Sequence, residues 1–197
     1  MGLAQTQEVL AQLYTNTDLR ERFFANPQAV GAELGLSCDE AQNLAQLSAQ
    51  EVNIFANSLK WKRLGEVREQ LPRTARLLGK NFTALFWRYA QTHLPKGIKK
   101  HREDAIAFAN FIARVAQQED INPPWIGDLV RYEKTWLLAY ESSSHLSVCW
   151  FSYPIDKLAS SDTMNRQLTI AIWFQFSERS QLRHIVRSLP PQRSLPA

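Results

Sequence analysis

FANSLKWKRLGEVREQLPRTARLLGKNFTALFWRYA, residues 55–90, decides what kind of fold this chain builds. Its apolar residues recur every three or four positions, the interval that gathers side chains on one side of an α-helix. In the first helix of the stretch, Val52, Phe55, Ala56, Leu59, Leu64 and Val67 are expected to face inward, with the charges opposite. Pro72 ends or kinks that helix, because it has no N–H to donate and its ring crowds the preceding turn. A short helical turn over 73–78 stops at Gly79, and Asn81 is the expected cap for a helix burying Phe82, Leu85, Phe86 and Tyr89.

The charge of this region is almost one-signed. Residues 60–102 hold twelve Lys and Arg against Glu66 and Glu69, a local +10 in a chain of net +4, so the remainder is −6. A clustered positive field attracts anionic surfaces whatever fold lies beneath it. Lys60, Lys62, Arg63, Arg73, Arg76, Lys99, Lys100 and Arg102 are therefore the candidate partner-binding residues. Nucleic acid is one partner such a face could take, since phosphate neutralisation supplies most non-specific affinity. Trp61, Trp87 and Tyr89 could stack on bases, although aromatics at helical spacing more often fill a core.

Upstream, Val9, Leu10, Leu13 and Tyr14 share a face of a first helix, and Thr17 is the expected cap of a second, which carries Leu19, Phe23 and Phe24. Asn26-Pro27 closes that helix and opens a short one that ends at Gly35. Ser37 with Glu40, and Ser48 with Glu51, have the spacing of a capping box. Downstream, Ile106, Phe108, Ala109, Phe111, Ile112 and Val115 form a buried face. Pro123-Pro124 opens a helix bearing Trp125, Leu129, Tyr132, Trp136 and Leu137. That makes about seven helices. Beyond residue 141 the composition changes: 145–153, 167–176 and 182–189 are rich in Val, Ile, Trp and Phe and predict three short strands. The expected class is α+β, with a helical domain over 1–94, a helical continuation over 95–141, a small antiparallel sheet over 142–189 packed on the preceding helix, and a disordered tail over 190–197.

Several functions have no residues to carry them. No apolar run is long enough to cross a bilayer, and the first residues lack the basic and apolar regions of an export signal. A cytoplasmic setting is expected, with Cys38 and Cys149 as separate thiols. His93, His101, His145 and His184 show no metal-ligand spacing, and no phosphate cradle, nucleophile elbow or zinc-protease motif is present. Asp128 with Arg131, and Glu133 beside Lys134, have the spacing of a solvated helix face with local ion pairs rather than of an acid–base set. Catalysis, cofactor and metal are not expected. The sheet offers a different activity, because an edge strand presents unpaired N–H and C=O groups that an extended peptide can complete.

LYTNTDLRERFFANPQAV at 13–30, FANSLKWKRLGEVREQLPRTARLLGKNF at 55–82 and WIGDLVRYEKTWLLAY at 125–140 give the chain a resemblance to the bacterial HvfC-like and MbnC-like accessory proteins. The likeness lies in Lys62-Arg63, the Leu71-Pro72 break, the Leu78-Gly79 stop, and Asp128, Leu129, Arg131 and Glu133 before the strands. It implies a helical N-terminal domain of a type once labelled DNA-binding, followed by a small β domain. It also implies a non-catalytic role: pairing with an iron-dependent TIM-barrel oxidase and holding the leader of a ribosomally made precursor peptide against the sheet as an added strand. The partner is thus expected to be another protein, with a peptide beside it; DNA binding or transcriptional regulation through the basic face is the alternative.

Overall fold

The computed structural model describes residues 3–93, 100–119, 121–140, 146–157, 164–176 and 181–190. The fold is α+β, with nine α-helices and one three-stranded antiparallel sheet among the described residues. The number exceeds the expected seven, although the short segments after Asn26 and after Leu71 are both expected to be helical and stand as the helices Pro27–Glu33 and Pro72–Leu78. The chain divides into two compact units, Met1–Gly65 and Glu66–Ala197. The breaks expected near 94 and 141, and the tail beyond Pro190, adjoin or lie outside the described residues.

The first unit packs α1 (Leu3–Thr15), α2 (Thr17–Ala25), α3 (Pro27–Glu33) and α4 (Cys38–Ala45) around Val9, Leu13, Phe23, Val30, Leu36, Ala41 and Leu44. Asn16, not Thr17, caps α2: its Oδ1 accepts from the Leu19 N–H at 3.0 Å, while Thr17 is already helical and its hydroxyl is bound elsewhere. Asn26 serves two helices, donating its N–H to Arg22 O at the end of α2 and accepting from Ala29 N–H at the start of α3. Gly35 follows at φ 77°, a conformation that side chains with a Cβ avoid. Ser37 and Glu40 form the reciprocal capping box at the start of α4. α3 and α4 approach closely at Gly31, where a Cβ would lie 2.6 Å from that of Ala41.

α5 (Ala49–Gln70) corrects the sequence pattern. Val52, Ala56, Leu64 and Val67 are buried as expected, but Phe55 is 48% and Leu59 38% exposed. The position between Ala56 and Leu64 on the inward stripe belongs to Lys60, half-buried with its ammonium donating to Thr17 Oγ1 at 3.0 Å. A long aliphatic stem can fill such a position once its charged head has a polar partner, and that rotates Phe55 and Leu59 outward.

In the second unit, α6 (Pro72–Leu78) and α7 (Lys80–Thr92) meet at Gly79, whose φ of 52° turns the chain. The α7 N-cap position is Gly79 itself rather than Asn81. Phe82 and Phe86 of α7 pack edge-on against Phe108 of α8 (Lys100–Gln118) at 5.2 and 5.3 Å between centroids. α9 (Ile126–Ala139) begins at Ile126, two residues beyond Pro124, with Trp125 in the N-cap position. The strands β1 (Leu146–Phe151), β2 (Thr169–Phe174) and β3 (Arg183–Ser188) lie in the order β1-β2-β3. Strand alternation separates two faces. Cys149, Phe151, Ala171, Trp173 and Val186 pack on Tyr132, Trp136 and Ala139 of α9. On the other face, Val148, Trp150 and Ile185 are exposed.

Candidate functional site

The basic residues do not share one setting. Lys60, Lys62 and Arg63 belong to the first unit; Arg73, Arg76 and Arg102 belong to the second. Lys62, Arg73 and Arg76 are exposed, while Arg63 and Arg102 are half-buried. Burial, and after it the charge of Arg20, holds the Lys60 ammonium below its ordinary pKa. The guanidinium of Arg73 lies 5.6 Å above the ring of Tyr132. Lys99 and the side chain of Lys100 lie outside the described residues. Arg20, which sequence reasoning passed over, is almost fully buried and donates to Leu13 O at 2.8 Å and to Asn53 Oδ1 at 2.9 Å.

Arg131 is exposed and pairs with Asp128 as the spacing predicts, but Asp128 and Glu133 do not lie on a solvated face. Asp128 and Glu133 are both buried, each bound to backbone N–H groups of another segment. Oδ2 of Asp128 accepts from Ser152 N–H at 2.6 Å and Tyr153 N–H at 3.1 Å, tying the chain after β1 to α9. Burial pushes its carboxyl above the ordinary Asp value, opposed by those N–H groups and by Arg131, whose Nη1 stands 3.5 Å from Oδ1. Glu133 accepts from Arg73 N–H and Thr74 N–H, at 2.8 Å each. Leu71, at the α6 N-cap, has no capping side chain, so Glu133 supplies the acceptors the helix lacks. Lys134 donates to Asn110 Oδ1 and not to Glu133. Both carboxylates thus hold backbone N–H groups, those of the α6 first turn and of the chain after β1.

Behind the sheet, Tyr132 Oη and His184 Nε2 are 3.0 Å apart, and His184 packs among Tyr132, Trp136 and Trp173 at ring separations of 5.0 to 5.5 Å. Burial, and then the charge of Arg73, lowers the His184 pKa below its ordinary value of 6.5. A depressed imidazole favours folding while it is neutral in both states. As pH falls through the ordinary value the unfolded chain takes up a proton that the folded chain resists, and stability is lost. The urea midpoint should therefore drop between about pH 7.5 and about pH 5.5, and drop less in His184→Gln. Equal drops would remove His184 as a source.

The edges of the sheet differ. On β1, Arg131 Nη2 donates to Trp150 O at 3.1 Å. On β3, Leu189 N–H donates to Leu168 O at 2.8 Å, next to the Thr169↔Ser188 pair. The alternation of an antiparallel ladder from that bond turns the N–H and C=O of His184, Val186 and Ser188 away from β2. None of these groups has a backbone partner among the described residues. Sequence reasoning named His184 only as a histidine without metal-ligand spacing and did not single out Arg183 or Arg187. The signal was present in RHIVRS, whose alternation puts Arg183, Ile185 and Arg187 on one face.

Cys38 is exposed and Cys149 half-buried, both as free thiols. Among the described residues, no three His, Cys, Asp or Glu side chains come together as metal ligands, and no helix is long and apolar enough to cross a membrane.

Residues 45–114, from the end of α4 to within α8, match the family model described as SCO6045-like, C-terminal domain. No curated protein matches the chain. The matched segment contains the stretch 55–90 and ends before α9 and the sheet, so the chain is similar to that family in its central helices.

Proposed function

We propose that this protein is a non-catalytic accessory protein that holds an extended peptide on the β3 edge and presents it to a partner enzyme. One observation carries the proposal: the outward N–H and C=O groups of His184, Val186 and Ser188 form an edge without a backbone partner among the described residues. Main-chain hydrogen bonding to such an edge supplies affinity for an added strand. Each edge has one outward carbonyl bound by an arginine, Trp150 O on β1 by Arg131 of α9 and Val186 O on β3 by Arg187 of the strand itself, and the β3 contact is the longer, 3.4 Å against 3.1 Å. The resemblance to HvfC-like and MbnC-like proteins supplies the identities: the leader of a ribosomally made precursor as the strand, and an iron-dependent TIM-barrel oxidase as the enzyme. The buried backbone-binding roles of Asp128 and Glu133 favour a scaffold over a catalyst.

Hydrogen exchange tests the proposal. The probe is a synthetic precursor leader peptide from an HvfC-like or MbnC-like system. Its addition should slow exchange at the amides of His184, Val186 and Ser188 by roughly tenfold or more. Unchanged exchange at those three amides, with saturating peptide, would sink the proposal. Retention on duplex DNA that falls steeply with salt and weakens when Lys62 and Arg76 are neutralised would favour the nucleic-acid alternative instead.

A further inference from the structure

β3 is basic on one side and bound on the other. His184 and Val186 face α9, whereas Arg183, Ile185 and Arg187 project from the opposite face and are exposed. Neither arginine has a carboxylate partner among the described residues. Arg183 lies over the exposed ring of Phe176 at 5.9 Å, and Nη1 of Arg187 donates to Val186 O at 3.4 Å. The rest of that sheet face is Leu146, Val148, Trp150, Ile170, Ile172 and Phe174, without an acid among them.

A second copy of this chain is a poor occupant of the edge in the register centred on Ile185. Antiparallel pairing of β3 with itself about Ile185 would set Arg183 directly opposite the other copy's Arg187, twice over, and like charges directly opposed across strands repel. Charged side chains on an edge strand are a recognised guard against such self-pairing. The edge instead favours a strand that brings the missing carboxylates.

We infer that the peptide held on β3 carries acidic residues four positions apart with an apolar residue midway, in the order acid-x-apolar-x-acid; this rests on the strand addition proposed above. Because His184 and Val186 would make the hydrogen bonds, Arg183, Ile185 and Arg187 would stand opposite the peptide in the more closely spaced non-hydrogen-bonded pairs. Each acid then meets an arginine and the apolar residue meets Ile185. The motif reads the same in both directions, so reversing the sequence that carries it preserves the charge match.

Three synthetic peptides of equal length test the inference, identical except that the two charged positions are Glu, Gln or Lys. Titration is at low ionic strength, because exposed pairs are screened beyond about 10 Å at 0.1 M salt. Two favourable pairs exchanged for two repulsive ones should make the Glu peptide bind roughly tenfold or more tightly than the Lys peptide, with Gln between. The double variant Arg183→Glu/Arg187→Glu, whose substitutions lie on the surface and whose folding is checked by circular dichroism, should reverse the order. Equal affinities with the β3 amides protected would overturn the charge rule and leave strand addition standing. Absence of β3 protection by any of the three would remove both. Concentration-dependent dimerisation that protects the same amides would assign the edge to a second copy and overturn the inference as well.

Discussion

Trp173→Ala should unfold the sheet from its helix, at a cost of about 3–5 kcal/mol. Trp173 is 1% exposed and the largest fully buried side chain described, lying 5.5 Å from the ring of Tyr132, 6.1 Å from Trp136 and 5.3 Å from His184. It is the contact through which the middle strand rests on α9. A three-stranded sheet is near the minimum for independent stability and depends on the helix beneath it. The substitution should therefore abolish protection of the strand amides before it affects α7 and α8, which have the separate aromatic core of Phe82, Phe86 and Phe108. Trp173→Phe should cost much less. The indole N–H is buried without a hydrogen-bond partner, so removing it relieves a desolvated donor while most of the ring volume is kept. Urea unfolding followed by amide exchange distinguishes the cases; simultaneous loss of sheet and helix protection in Trp173→Ala would refute the separation.

Glu133→Ala should cost about 3–4 kcal/mol, a large effect for a side chain that touches no other charged partner in its role as a cap. Both oxygens accept backbone N–H groups, and the Thr74 N–H is buried. Pro72 has no N–H, and Ala75 donates to Leu71 O, so Arg73 and Thr74 are the first-turn donors of α6 that depend on Glu133. Alanine leaves them unpaired in a place water reaches poorly. Glu133→Gln keeps one acceptor and points an amide NH2 at the other donor, for an expected loss of about 2 kcal/mol. Urea midpoints read both, and a Gln variant as damaged as the Ala variant would mean that the charge, rather than acceptor number, carries the effect.

Those two residues mark where local pattern stops being informative. The helices of 55–90, the Pro72 break, the Gly35 stop and the Ser37–Glu40 box were legible because each is written within a few residues, where backbone sterics and side-chain reach decide the outcome. The strands were legible from β-branched and aromatic runs. The inward face of α5 was misread because hydropathy assigns Lys60 to solvent, and only the hydroxyl of Thr17, from a different helix, makes its half-buried place tolerable. Asp128 and Glu133 were misread for a similar reason: their partners, Ser152 and Thr74, are 24 and 59 positions away.

By itself the sequence determined the α+β class, the order of its elements and the concentration of positive charge, because periodicity, turn residues and composition are properties of neighbours along the chain. Tertiary structure decided which polar groups are buried, which carboxylates serve as caps, and which strand edge is left with its N–H and C=O groups turned outward. A buried charge is stable only when partners arrive from elsewhere in the fold, and a strand becomes an edge only through the pairing of the others.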